Sequence, residues 1–282
     1  NIEHHAVLNS TKALDKEGLD VPYRKADENG VVRAEDVKTA LRPDTALVSV
    51  MFANNELGTI QPVSEIGCAC REAGVLFHCD AVQAAGILPI DVKAMNIDLL
   101  SMSAHKFHGP KGVGILYARR GCVPPVYIDG GEQERGHRAG TENVAGIVGA
   151  AAAFSEAMLE RVDKALRLAS MRDRIQAELI KIPGSQVNGG SVPRLPGTLN
   201  MSFEGVDGQS LIFALDLKGV AASSGSACAS GSVSPSHVLL ALGLPYSLAH
   251  GSLRLSLGKY NTEDEIDEIV RAVTDAVNEL RG

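Results

Sequence analysis

Three short apolar runs, each breaking off into polar residues, constrain this chain more than any other feature. Ala46–Phe52 gives way to Asn54-Asn55-Glu56-Leu57-Gly58, Val75–Cys79 to Asp80 and then Gln83, and Asp98–Ser103 to Ala104-His105-Lys106. Mostly apolar runs of this length are the pattern of strands buried on both faces, as in parallel sheets covered by helices. A helix pattern opens at Pro62 and stops at Gly74, between the first two runs. Strand, helix and strand with polar groups at successive strand ends predict right-handed crossovers and a largely parallel sheet. Ligands of such sheets bind outside the carboxyl ends of the strands. Val113–Ala118 predicts one more strand.

Around this core the pattern predicts a helix over Ala6–Glu17 stopped by Gly18, a short strand at Val21–Tyr23, a turn at Asp27–Gly30 and a helix over Ala34–Leu41. Helical signals then run from Asn143 to Lys181. One stripe is marked by Val144, Ile147, Val148, Ala151, Phe154, Met158 and Leu159 and continued by Val162, Leu166, Ala169, Ile175, Leu179 and Ile182. Such a length predicts a broken pair or a helix connecting two domains. The domain change falls near Arg161, giving a large α/β domain over residues 1–161 and a smaller α+β domain over 162–282. In the second, Thr198–Phe203 reads as a strand, Asp207 caps a helix to Leu217, Val220–Ala222 is strand-like, and a helix runs from Ser236 to Gly243. Ser252–Leu257 alternates, so Arg254 and Ser256 share a face with Ser252. Thr262 and Glu265 form a capping box before a helix striped by Ile266, Ile269, Val270, Val273, Val277 and Leu280.

Composition excludes several classes. A net charge of -7 argues against nucleic acid as the main partner, and the absence of tryptophan argues against stacking on bases. No apolar run approaches the roughly 20 residues of a membrane helix, and no signal peptide is read. Five irregularly spaced cysteines do not read as a disulfide framework, and a reducing, cytoplasmic compartment is expected. Cys68 and Cys70 fall in a helical pattern, where residues two apart do not share a face, so no metal site is read there.

The polar strand ends carry the chemistry. A lysine just past a buried strand is expected to be poorly solvated, which disfavours its ammonium form and makes it a nucleophile for carbonyl carbons. Lys106 holds this position, flanked by Ser103 and His105 as anion donors, with Gly109, Pro110, Gly112 and Gly114 turning the backbone beside it. This is the pattern of a pyridoxal phosphate (PLP) anchor. A carboxylate at a buried strand end needs a cationic or hydrogen-bonding partner, and Asp80 could meet a pyridinium nitrogen. Gly130–Thr141 has glycines, arginines and a threonine ahead of a helix, an arrangement suited to phosphate; a surface loop is the plainer reading. Cys228 lies among serines, glycines and alanines that cannot build a tight core, so an accessible thiol is expected. Arg254 offers a fork to a carboxylate or a structural pair.

With these residues in place the chain resembles the cysteine desulfurases, PLP enzymes of the class V aminotransferase group. The resemblance covers essentially the whole chain. Its motifs are EHHAV at Glu3–Val7, NNELG at Asn54–Gly58, HCDAVQ at His78–Gln83, SAHKFHGPKG at Ser103–Gly112, ERGHRAGTEN at Glu134–Asn143 and SSGSACASG at Ser223–Gly231. The long cysteine segment resembles the housekeeping and nitrogen-fixation-linked branch. The resemblance implies PLP fold-type I and PLP as cofactor. It implies that Lys106 anchors PLP and moves protons, His4 stacks on the ring, Asp80 pairs with the ring nitrogen and Gln83 reaches the phenolic oxygen. Asn55 would orient cofactor and substrate, Ser103 and His105 would hold the phosphate, and Thr141 would complete the phosphate site of a neighbouring subunit in a homodimer. Arg254 would clamp the carboxylate of L-cysteine, and Cys228 would accept its sulfur as a persulfide for delivery to an iron–sulfur cluster scaffold or another acceptor. Relatives are expected to carry further residues before the position of His4, including a glycine-threonine phosphate loop. Glu132 stands where a run of glycines is usual. Another PLP lyase or aminotransferase, and a non-catalytic binding module, are the alternatives.

Overall fold

The computed structural model describes residues 1–122, 124–126, 128–225 and 234–282. They form two compact units, one of residues 33–52 and 62–161, the other of 1–32, 53–61 and 162–282.

The first unit is built on a four-stranded sheet in the order β1 (Leu47–Met51), β2 (Leu76–Asp80), β3 (Leu99–Ser103), β4 (Gly114–Ala118). The first three strands are parallel, with Met51 opposite Asp80 and Asp80 opposite Ser101. The fourth runs antiparallel, Ser103 pairing with Gly114. The Ala104–Val113 connection is too short for a parallel crossover, which needs roughly a dozen residues or more. The sheet is therefore mainly rather than wholly parallel.

Helices α2 (Ala34–Ala40) and α3 (Val63–Ala73) belong to this unit. Pro62 precedes α3 and Gly74 ends it in a left-handed conformation, φ 70°. Ile66 and Cys70 of α3 are fully buried, as are Phe77 and Cys79 of β2. Gly67 lets α3 approach so closely that a Cβ there would stand 2.0 Å from the carbonyl oxygen of Met95. At the N-terminal end of β3, Asp98 accepts a hydrogen bond from the Phe77 amide at 2.9 Å and pairs with Arg119 at 2.5 Å.

Helix α5 (Val144–Leu179), which follows one irregular turn, α4 (Gln133–Gly136), is a single unbroken element of 36 residues rather than a broken pair. Its first half corrects the sequence reading. Ala150 and Ala157 are buried, with Phe154 partly so, whereas Val144, Ile147, Val148, Met158 and Leu159 are exposed. Close approach explains the inversion. A Cβ on Gly149 would lie 3.3 Å from the Pro110 ring, and one on Gly86 would lie 3.0 Å from Ala157. At the closest approaches only small residues fit, with Phe154 filling the space beside Phe107, so the larger apolar side chains at 144, 147, 148, 158 and 159 point outward.

The second unit holds helix α1 (His5–Lys16) and an antiparallel sheet in the order β5 (Ser185–Val187), β6 (Thr198–Phe203), β7 (Ser252–Ser256). Met171, Ile175 and Leu179 of α5 bury against Leu199, Met201 and Phe203 of β6, together with Leu211 and Leu215 of α6 (Gly208–Leu217) and Val273 and Val277 of α9 (Ile266–Arg281). Asp207 caps α6 by accepting from the Ser210 amide at 2.7 Å, and the Thr262–Glu265 capping box is formed. Short helices α7 (His237–Ala241) and α8 (Tyr246–His250) lie between α6 and β7 in the chain. Val21–Tyr23 and Val220–Ala222 are not strands; beside the latter, Ser223 makes an isolated bridge to Arg254.

The packing of α3 predicts that Gly67→Ala, which forces a side chain into backbone, destabilises the chain by on the order of 1–3 kcal/mol. A lowered urea midpoint at unchanged m would show it.

Candidate functional site

Within the first unit, the level parallel ladder puts the ends of β1, β2 and β3 side by side. Because strand side chains alternate, Ser49, His78, Asp80, Ser101 and Ser103 share one face of the sheet. Asp80 is nine-tenths buried, and one carboxylate oxygen accepts from the Val82 amide at 3.0 Å. That bond starts the turn that carries Gln83, which is half-buried. Ser103 is half-buried at the end of β3.

The chain leaves β3 through a single 3-10 turn, Ala104–Phe107, closed by His108 at φ 66°. Ala104 and Phe107 turn inward, and the Phe107 ring meets Phe154 of α5 edge-on at 5.3 Å between centroids. His105 and Lys106, between them, are exposed. Lys106 therefore stands at the expected place but not in the poorly solvated setting read from the sequence. In a turn this tight, burying residues 104 and 107 sends 105 and 106 outward. Thr141 is also exposed, and it does not cap α5. Asn143 does so, its side-chain oxygen accepting from the Gly146 amide at 3.0 Å.

The sequence reading gave no role to His78, yet it is the most connected polar side chain on this face. Its Nδ1 shares a hydrogen bond with Ser49 Oγ at 2.8 Å and its Nε2 shares one with Ser101 Oγ at 2.9 Å. Burial lowers the His78 pKa, partly offset by the charge of Asp80. A histidine two residues before an aspartate in an otherwise apolar strand was the available signal.

Within the second unit, His4 caps α1, its Nδ1 accepting from the Ala6 amide at 3.1 Å. In the neutral ring the proton accordingly sits on Nε2. The NNELG turn is held by its first asparagine. Asn54 is fully buried, donates to the Ile2 carbonyl at 2.9 Å and accepts from the Glu56 and Leu57 amides at 2.9 and 3.0 Å. Asn55, half-buried, receives the Arg254 guanidinium on its carbonyl at 3.0 Å. Glu56 is buried, and its carboxyl pKa is raised by desolvation, opposed by a hydrogen bond from Ser236 and by the charge of Arg254. The turn is seated on β6, where Asn200 donates to the Glu56 carbonyl at 3.2 Å and Asn188 donates to Asn200 at 2.7 Å. Asn54 and Glu56 are thus supporting residues that motif reading left without a role. The backbone of Ser223, at the start of the cysteine segment, bridges to that of Arg254. Cys228 lies outside the described residues.

The aminotransferase class-V family model matches residues 1–269. The chain is 52% identical over 283 aligned residues to a cysteine desulfurase IscS of Clostridium botulinum, covering 99% of this chain and 71% of that protein. It is 49% identical to a cysteine desulfurase IscS of Methanosarcina thermophila, covering all of this chain and 70% of that protein. Among solved structures, a NifS-like protein superposes with a TM-score of 0.91 at 39% identity, over 99% of this chain and 73% of that one. A NifS-like protein from Rickettsia africae gives 0.89 at 28% identity, over 98% of this chain and 74% of that one. These matches confirm the PLP fold-type I architecture, and the chain belongs to the class-V aminotransferase family and, within it, to the cysteine desulfurases.

Proposed function

We propose that this chain carries the active-site machinery of a PLP-dependent cysteine desulfurase, converting L-cysteine to L-alanine with the sulfur held as a persulfide on Cys228. The observation that carries the reading is the placement of Asp80 and Lys106 at the ends of neighbouring parallel strands β2 and β3. The donor set suits PLP: a buried carboxylate for a ring nitrogen, an accessible amine for its aldehyde, and Ser103 and His105 beside that amine for phosphate. In this reading Gln83 would serve the phenolic oxygen, His4 would stack on the ring, and Thr141 would complete the phosphate site of a partner subunit.

PLP, when bound, supplies an electron sink that loosens bonds near the substrate α-carbon. The protein does the rest. Asp80 would pair with the ring nitrogen. Lys106 takes and returns protons. Arg254, aimed by the Asn55 carbonyl, clamps the substrate carboxylate. The Cys228 thiolate attacks the substrate sulfur; an S–S bond forms, the C–S bond breaks, and its electron pair and a proton remain on carbon as alanine. The outer sulfur of the persulfide then passes to a thiol of an acceptor, an iron–sulfur cluster scaffold protein or another sulfur carrier, in the cytoplasm, and the S–S electron pair returns to Cys228. No helix among the described residues is long and apolar enough to cross a membrane. The exposed apolar face of α5 suits a homodimer, since monomers rarely leave such stripes uncovered.

Borohydride treatment of the PLP-loaded chain is expected to leave a reduced adduct on Lys106 by mass spectrometry. Lys106→Ala should leave none. Cys228→Ser should keep the adduct and the visible absorbance while losing the persulfide; undiminished alanine formation in that variant would exclude the sulfur-acceptor role. Arg254→Lys loses the planar fork and should raise KM for L-cysteine by on the order of tenfold with a smaller change in kcat. Light scattering should give twice the chain mass, and Val148→Glu should shift it toward one.

A further inference from the structure

We propose that His78 is a positioning residue for Asp80, acting through a side-chain strap that ties the ends of β1, β2 and β3 together. This rests on the reading of Asp80 as the partner of a cationic ring nitrogen. Ser49 lies directly opposite His78 in the β1–β2 pairing, and Ser101 lies directly opposite Asp80 in the β2–β3 pairing. His78 hydrogen-bonds both hydroxyls, at 2.8 and 2.9 Å. The residue beside Asp80 on the next strand is therefore held by the residue two before Asp80 on its own strand. A neutral imidazole has one donor and one acceptor nitrogen, and serine hydroxyls can supply the complement to each. Both ring nitrogens are thus satisfied without a charge. Burial favours that neutral form and the charge of Asp80 opposes it. An uncharged strap matters chemically. An imidazolium two residues from Asp80 would compete with the ring nitrogen for its charge, whereas a neutral imidazole fixes the strand ends and leaves the carboxylate to the cofactor.

The strap has two arms, and they are distinguishable. Glutamine places its amide near where Nε2 lies and asparagine near where Nδ1 lies, so His78→Gln keeps the Ser101 arm and His78→Asn the Ser49 arm. Ser101 is the neighbour of Asp80. Accordingly, His78→Ala and His78→Asn should weaken PLP binding to the full chain by on the order of tenfold, the effect of one supporting hydrogen bond near a charge, and His78→Gln should recover most of it. In an Asp80→Asn background the three variants should bind PLP alike. The side-chain carboxyl 13C resonance of Asp80, read without cofactor in the selectively labelled chain, should move in His78→Ala and return toward wild type in His78→Gln. A merely structural histidine would lower Tm in every background, weaken PLP binding equally in both and leave the carboxyl resonance in place, and that pattern overturns the proposal. Wild-type chain that binds no PLP would overturn the cofactor reading of Asp80, while the carboxyl resonance still decides whether His78 positions it.

Discussion

The level, in-register pairing of β1, β2 and β3 is the constraint on which the rest of the first unit depends. With Met51 opposite Asp80 and Asp80 opposite Ser101, β1 and β2 end level and β3 runs two residues further, to Ser103. A slip of one residue in β2 would exchange its faces, sending Asp80 toward the side of Phe77 and Cys79 and those two toward the side of Ser101. Burial sets the register, because Phe77, Cys79 and Leu100 are all nearly or fully excluded from water. Asp98 reinforces it from the other end of the strand, accepting the Phe77 amide from the neighbouring strand. Chemistry at the carboxyl ends is in this sense a by-product of packing one apolar face.

The second unit solves a different problem, that of seating a polar turn on a sheet: its buried asparagines are hydrogen-bonded, while one carboxylate oxygen of Glu56 is buried without a hydrogen bond. The Asn54 side chain hydrogen-bonds the Ile2 carbonyl and the Glu56 and Leu57 amides, and Asn200 and Asn188 extend the network beneath it. Unmade bonds at such depth would each cost about 1–3 kcal/mol. Two adjacent asparagines thereby divide their work. The first is consumed by the scaffold, and the second, half-buried, offers its carbonyl to Arg254.

The strands of the first unit were legible because both-face burial writes a simple signature, and so were the helices with caps, such as Pro62 to Gly74 and the Thr262–Glu265 box. Direction was less legible. The strand after Lys106 turned back because its connection was short, which a list of apolar runs does not convey. The stripe on α5 misled because periodicity finds the most apolar face, while alanine and glycine mark the face that packs closest. Lys106, Asp80 and Arg254 could be singled out as reactive types at strand ends or on strands. The exposure of Lys106, the capping of α5 by Asn143, and the hydrogen bonds of His78 to Ser49 and Ser101 all depend on which side of a turn or strand a neighbour occupies.

The choice of histidine at position 78 has a geometric reason. Neighbouring strands lie about 4.8 Å apart, and a serine side chain is too short to cross that gap to another serine on both sides at once. An aliphatic residue would fill the space but leave the hydroxyls of Ser49 and Ser101 without a partner on a half-buried face. A lysine or arginine would reach, at the cost of a buried cation beside Asp80. The imidazole ring is wide enough to span and carries its nitrogens on separate edges. It can also satisfy one donor and one acceptor while neutral. Among the common side chains it is the one that links three strand ends and leaves the charge of Asp80 uncommitted.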